Sequence, residues 1–413
     1  MRPIVLALCL LASAAAAFGQ QQPQRYRLER IIVEGSGVDD TIVRGEARLR
    51  EEQMYTDADF REAVGRVRRL PFVVDATYRI EPGVTAGGTT LVVRILDVYY
   101  AFVDFTGSAA RNADGDTVRD GSVLLGGRAL LNNLGVIEGA VEKSDNGDGF
   151  NVGLAYRAYD IIGTGAFATA VLSQRFKTEL RDYDPTMAVT VGYPLTRRQT
   201  VTFTGAKSGS SVTRDFDLNN DDDDDDDDDT DREDNFDLTD DAAFNYATLQ
   251  WWYETIDDPF FATRGVQVAF GPSWGQSEFT FQNWNLVTRR IDITESATEA
   301  YGLNLDASVY QKLFPRTVGF VRLNGSGTRE QETELETRNG AVRAGLGFDF
   351  HTQSETVIRP WKARLEIGAA YRMTDLTRPD LPGVSFNDTA AEAAFVFRSR
   401  WGTVRLLGTY LTD

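Results

Sequence analysis

Residues 361–372 read Trp361-Lys362-Ala363-Arg364-Leu365-Glu366-Ile367-Gly368-Ala369-Ala370-Tyr371-Arg372. Every second side chain from Trp361 to Tyr371 is apolar, and the set begins and ends on an aromatic. The interleaved positions carry Lys362, Arg364, Glu366 and Arg372. A strand alternates its side chains between two faces, so one face here suits hydrocarbon and the other a wet interior. The same period recurs in Val342-Ala344-Leu346-Phe348-Phe350, in Tyr301-Leu303-Leu305-Ala307-Val309, and earlier in Phe150-Val152-Leu154-Tyr156, Met187-Val189-Val191-Tyr193, Ala247-Leu249-Trp251-Tyr253 and Val266-Val268-Phe270. A soluble sandwich also alternates, but it does not usually set so many charges opposite a face rimmed by Trp and Tyr. An open sheet edge is not tolerated in lipid, so the sheet is expected to close.

Fifteen candidate strands are counted between residues 100 and 411. Bacterial barrels normally have even strand numbers, so about sixteen are expected, with fourteen as the fallback and the stretch 264–313 a place for a hidden turn. On this register Leu365 faces lipid and Arg364 the lumen. An arginine at 365 is therefore expected to cost far more than the loss of Arg364.

Composition narrows the chemistry. Cys9 and His351 are the chain's single cysteine and histidine. Residues 1–19, with Arg2 followed by an apolar run and Ala17-Phe18-Gly19, have the pattern of a secretory signal peptide, too short to span a bilayer. The mature chain is then expected to lack thiols, which excludes disulfides and thiolate metal sites. No enzyme activity, cofactor or metal is expected. Residues 20–25 read as a linker.

Residues 211–242 read as an acidic, disordered loop. Between Ser211 and Asp241 sixteen Asp, nine of them consecutive at 221–229, and Glu233 face Arg214 and Arg232, which gives −15 of the chain's −19. Such a run repels itself and disfavours nucleic acid.

Residues 26–98 have another character. An alternating strand (YRLERIIVEG, 26–35) precedes two helical stretches near 40–49 and 56–70, the second with Ala58, Phe60, Ala63, Val64 and Val67 on one stripe. Two strands follow, FVVDATYRI (72–80) and TTLVVRILDV (89–98), joined through Pro82-Gly83 and Gly87-Gly88. This β-α-α-β-β order, with IIVEGSG, LREEQMYTDADF and LPFVVDATYRI, resembles a POTRA domain. Joined to a barrel spanning 99–413, it resembles the POTRA-plus-barrel superfamily of outer-membrane assembly and translocation proteins. The stretch DDPFFATRG (257–265) resembles the turn those barrels carry between their eighth and ninth strands.

The resemblance implies a mainly β protein in the bacterial outer membrane with its POTRA domain in the periplasm. Expected partners are unfolded outer-membrane or secreted polypeptides, outer-membrane lipids, and periplasmic chaperones or lipoproteins. Clients would add as a strand to an edge formed by Phe72, Val73, Val74, Asp75, Ala76, Thr77 and Tyr78. Val74 and Ala76 would point their N–H groups one way, Val73 and Asp75 the other. The barrel would insert or pass clients at a seam of Ala101, Val103, Phe105 and Gly107 against Val404, Leu406, Gly408 and Tyr410. The chain departs from the family in the loop at 329–340 (REQETELETRNG), which lacks a Val-Arg-Gly-Phe/Tyr motif. That departure favours the alternative, a passive pore or surface-exposed structural barrel.

Overall fold

The computed structural model describes residues 24–37, 39–111, 117–131, 135–144, 149–161, 163–176, 183–216, 236–285, 290–351, 357–379 and 381–412. The expected signal peptide and the nine aspartates at 221–229 lie outside them.

The N-terminal unit runs β1 (Arg25–Glu34), α1 (Asp40–Ala47), β2 (Met54–Thr56), α2 (Asp57–Val67), β3 (Val73–Pro82) and β4 (Gly88–Asp97). β2 is an addition to the order read from sequence. At three residues it is too short to show a period, and it exists through its antiparallel pairing with β1. The sheet order is β2-β1-β4-β3, with β1 and β4 parallel. The Thr56 and Asp59 side chains cap the start of α2 reciprocally. Phe60, Ala63, Val64 and Val67 turn into a core with Leu28, Ile31, Ile42, Val43, Leu91 and Val93, while Ala58 stays exposed.

The rest is a closed barrel. Its strands are β5 (Ala101–Arg111), β6 (Thr117–Leu130), β7 (Val136–Ser144), β8 (Phe150–Ile161), β9 (Ala166–Phe176), β10 (Tyr183–Pro194), β11 (Gln199–Phe216) and β12 (Phe236–Glu254). They continue as β13 (Gly265–Asn285), β14 (Arg290–Phe314), β15 (Thr317–Glu330), β16 (Glu336–Asp349), β17 (Trp361–Arg378), β18 (Leu381–Ser399) and β19 (Gly402–Thr412).

Among the described residues the barrel therefore has fifteen strands, between the two even numbers expected. Residues 264–313 hold two long strands. In an up-and-down meander each strand reverses its predecessor, so with an odd number the first and last run the same way. β19 and β5 indeed close the barrel as a parallel pair, while all other barrel neighbours are antiparallel.

The outward side chains include Val103, Leu125, Leu154, Leu303, Ile367 and Tyr371, all exposed. So much contiguous exposed apolar surface is that of a membrane-spanning barrel. The ends of the expected acidic loop are strand instead. β11 and β12 pair without interruption from Gln199↔Tyr253 up to Phe216↔Phe236, because cross-strand bonding continues past the apolar belt.

Candidate functional site at the docked mouth and the seam

Three parts of the chain meet at one mouth of the barrel: the α2–β3 side of the N-terminal unit, the turn 257–264 between β12 and β13, and the first residues of β17. The turn folds inward. Asp258 accepts the N–H groups of Phe260 (2.9 Å) and Phe261 (3.0 Å). Asp257 accepts the Thr263 N–H (2.8 Å) and its hydroxyl. Two adjacent aspartates thus bind the turn's own backbone, the usual role of Asp in tight turns. Pro259 and Phe260 reach a luminal chamber of about 920 Å³, and the Arg398 guanidinium lies 3.7 Å from the Phe260 ring centroid.

Two buried charge clusters fix this arrangement. In the first, Lys362 Nζ lies 2.6 Å from Asp75 and 2.8 Å from Asp258, and Arg68 lies 3.3 Å and 3.9 Å from the same two carboxylates. Two cations alternate with two anions, which is how buried charges survive loss of hydration. Burial alone would raise the Asp258 carboxyl, but Lys362 and Arg68 outweigh it and hold the group well below the usual carboxylate range. In the second, Arg364 pairs with Asp349 through two bonds (2.6 and 3.1 Å) and donates to the carbonyls of Ala262 (2.9 Å) and Phe261 (3.1 Å).

Arg364 is 1% exposed. It is a strut between wall and turn, so the expectation that its loss costs far less than an arginine at 365 is corrected. The neighbouring Leu365 does lie on the outward face. His351 is buried beside this cluster, edge-on to Phe261 at 5.9 Å.

The N-terminal unit is latched on by further contacts. Arg198 makes a two-pronged pair with Glu62 (2.8 Å each), Arg197 meets Asp59 at 2.8 Å, and Arg69 pairs with Glu254. Gly65 of α2 rests on the turn itself. A Cβ there would stand 2.8 Å from the carbonyl oxygens of Ile256 and Asp257, so only glycine allows this approach.

β3 is the sheet edge, as the sequence suggested, but Phe72 to Tyr78 are all buried. Barrel and helix groups occupy the edge. Arg398 donates to the Val73 carbonyl (2.6 Å), Arg68 to the Ala76 carbonyl (2.9 and 2.6 Å), and the Ala76 N–H is taken by its neighbour Asp75 (2.9 Å). The Arg359 N–H donates to Asp75 at 2.9 Å. The expected equivalence of Val74 with Ala76 also fails. The register shifts between Val73 and Asp75, so the Val73 and Ala76 carbonyls both point away from β4, because a bulge inserts one residue into the alternation.

The seam lies beside this mouth. Val404 pairs with Phe105, Leu406 with Gly107, Gly408 with Ala109 and Tyr410 with Arg111, and the parallel ladder has seven pairs in all. Ala101 and Val103 precede it and pair with β6. The Val103 N–H donates to the Trp401 carbonyl at 2.7 Å. Gly402, at φ +140°, lets that turn press against the Val103 carbonyl, where a Cβ would stand 1.9 Å away.

Sequence reading placed the first and last barrel strands as neighbours and β3 at a sheet edge, as the pairing has them. It missed the charge clusters, because Arg68 and Asp75, Asp258, and Lys362 come from three distant parts of the chain. The available signal was the charge at the ends of two barrel strands, Asp349 of β16 and Lys362 and Arg364 of β17.

The architecture defines a class: a closed membrane barrel of the outer-membrane type with a small α/β unit docked on one mouth. No protein-family model matches the chain, and no curated protein matches it. Among solved structures, BamA from Haemophilus ducreyi lacking POTRA domains 1-3 is similar over 95% of this chain and 82% of its own, at 14% identity and a TM-score of 0.40. CdiB from Escherichia coli is similar over 91% and 70%, at 12% identity and a TM-score of 0.47. OmpT, an outer membrane protein of Vibrio cholerae, is similar over 75% and 97%, at 11% identity and a TM-score of 0.37.

Proposed function

We propose that this chain is a POTRA-plus-barrel protein that assembles or translocates unfolded outer-membrane or secreted polypeptides. The observation that carries this reading is the seam. The barrel closes through seven parallel pairs, and parallel pairing is somewhat weaker per residue than antiparallel. An opening there presents two strand edges at the lipid face, where a client strand gains main-chain hydrogen bonds without any particular side chain.

The N-terminal unit sits in the periplasm in this reading and offers β3 as a second edge once Arg398, Arg68 and Arg359 release it. Binding energy drives the process, with no catalytic group or cofactor.

A passive pore is disfavoured by the docked unit and the inward turn, which together cover one mouth. A structural barrel is favoured by the covered edge of β3. Depleting the protein and taking a census of outer-membrane and secreted proteins separates the two. The assembly reading expects a defined set to disappear, and an unchanged census overturns it.

A further inference from the structure

A second cavity, open on one side, lies between the N-terminal unit and the inner wall of β8 to β12. Its volume is about 380 Å³. Its floor is formed by Arg48 at the end of α1 and by Arg66 and Arg69 at the end of α2. Its wall carries Arg157, Arg197 and Arg198 together with the hydroxyls of Thr169, Thr190, Thr202 and Thr204.

Several of these cations are matched. Arg69 has Glu254, Arg197 has Asp59, Arg198 has Glu62, and Arg157 shares Glu138 with Arg128. Two lack a carboxylate partner among the hydrogen bonds and ion pairs of the described residues. Arg66, buried, donates to the main-chain carbonyls of Glu46 (3.3 Å) and Ala47 (2.7 Å). Arg48 donates to the Thr200 hydroxyl at 2.8 Å. With Glu46 also on the lining, seven arginines meet five carboxylates in or next to this space. Burial, aided by Arg48, lowers Arg66 to about 10. That remains far above neutrality, so the guanidinium keeps its charge.

Arg66 is buried and Arg48 half-buried on the same cavity, and neither guanidinium has a carboxylate partner among the described residues, so an anion entering the cavity would meet both. Arginine forks and hydroxyl donors suit a tetrahedral oxyanion better than a halide. We propose that this cavity binds one small dianion of the phosphate class, inorganic phosphate or a compact phosphate monoester, and that the bound anion bridges the N-terminal unit to the barrel wall. The volume of about 380 Å³ suits a small molecule.

The test is calorimetric titration of the full-length protein in detergent, at constant ionic strength, with inorganic phosphate, glycerol phosphate and chloride in separate arms. Saturable binding of one phosphate or one monoester per protein is expected, and the tighter of the two identifies the source. Arg48→Gln should weaken it at least tenfold and Arg48→Lys only in part. Arg48 is a suitable site because its side chain's one hydrogen bond within the described residues, to Thr200, is not needed to hold a helix. Thr190→Val, on the opposite wall, should weaken binding several-fold with the fold unchanged by circular dichroism. Binding no stronger than that of chloride, or equal binding by Arg48→Gln and the unaltered chain, overturns the proposal.

Discussion

The docked mouth and the seam are neighbours built on opposite principles. At the mouth, Arg68, Asp75, Asp258 and Lys362 interlock, Arg364 ties Asp349 to two carbonyls of the turn, and Gly65 lets a helix touch that turn. At the seam, seven pairs join β5 to β19, with Gly107 and Gly408 among them; β7 and β8 also pair over seven, and the seam differs in being parallel where the other barrel neighbours are antiparallel. Binding here is concentrated in side chains where the unit is held, and left to a parallel backbone ladder at the seam. Breaking the mouth should therefore have large effects traceable to single side chains, and the seam should respond mainly to changes in its backbone ladder.

Arg364→Leu should cause the largest loss. It leaves Asp349 buried without its partner and frees two turn carbonyls, and breaking a buried pair costs about 3–5 kcal/mol. Denaturant unfolding in bilayers measures this. A loss below 1 kcal/mol would show that the cluster does not hold the mouth. Ile367→Arg is next. Ile367 is exposed on the apolar exterior, and arginine on a lipid face costs up to about 2–4 kcal/mol near the bilayer centre. A neutral result in the same assay would move residue 367 off the lipid face.

Gly65→Ala should follow, at about 1–3 kcal/mol for forcing a methyl group into a filled contact. It should act on docking, because alanine favours the helix itself. Limited proteolysis should release the N-terminal unit faster in this variant, and unchanged cleavage would separate Gly65 from the latch. Removing Asp221 to Asp229 should have the smallest effect. β11 and β12 are already paired at Phe216↔Phe236, and the connection 217–235 shortens from nineteen residues to ten. The loop-closure term then changes by about 0.6 kcal/mol. A large loss of assembled barrel on heat-modifiability gels would give those residues a structural part.

The difference between the two regions also explains what was legible in the sequence. The barrel strands follow from period two, a local signal carried by each strand alone, so Leu303 and Ile367 could be placed facing outward without a partner in view, whereas the seam was implied by the family resemblance. The number fifteen was present strand by strand, and only the rule of even numbers argued against it. The mouth was illegible because it is made of distant pairs. Nothing near Lys362 announces Asp75 or Asp258, and a charge on a luminal face reads the same whether it meets water or a buried carboxylate. The bulge at β3 was hidden for a related reason. Val73 to Ala76 look regular, and the interruption is set by the partner strand.

The most direct test of the account uses the seam. Phe105 and Val404 are register partners on neighbouring strands, and the described residues contain no cysteine. Phe105→Cys with Val404→Cys therefore offers a reversible lock, with disulfide formation checked by mass before use. In vesicles carrying the purified protein, the account predicts that the oxidised variant neither inserts nor passes an unfolded outer-membrane client, and that a reductant restores activity to the level of the single variants. Equal activity of the oxidised and reduced forms would contradict the proposed role of the seam.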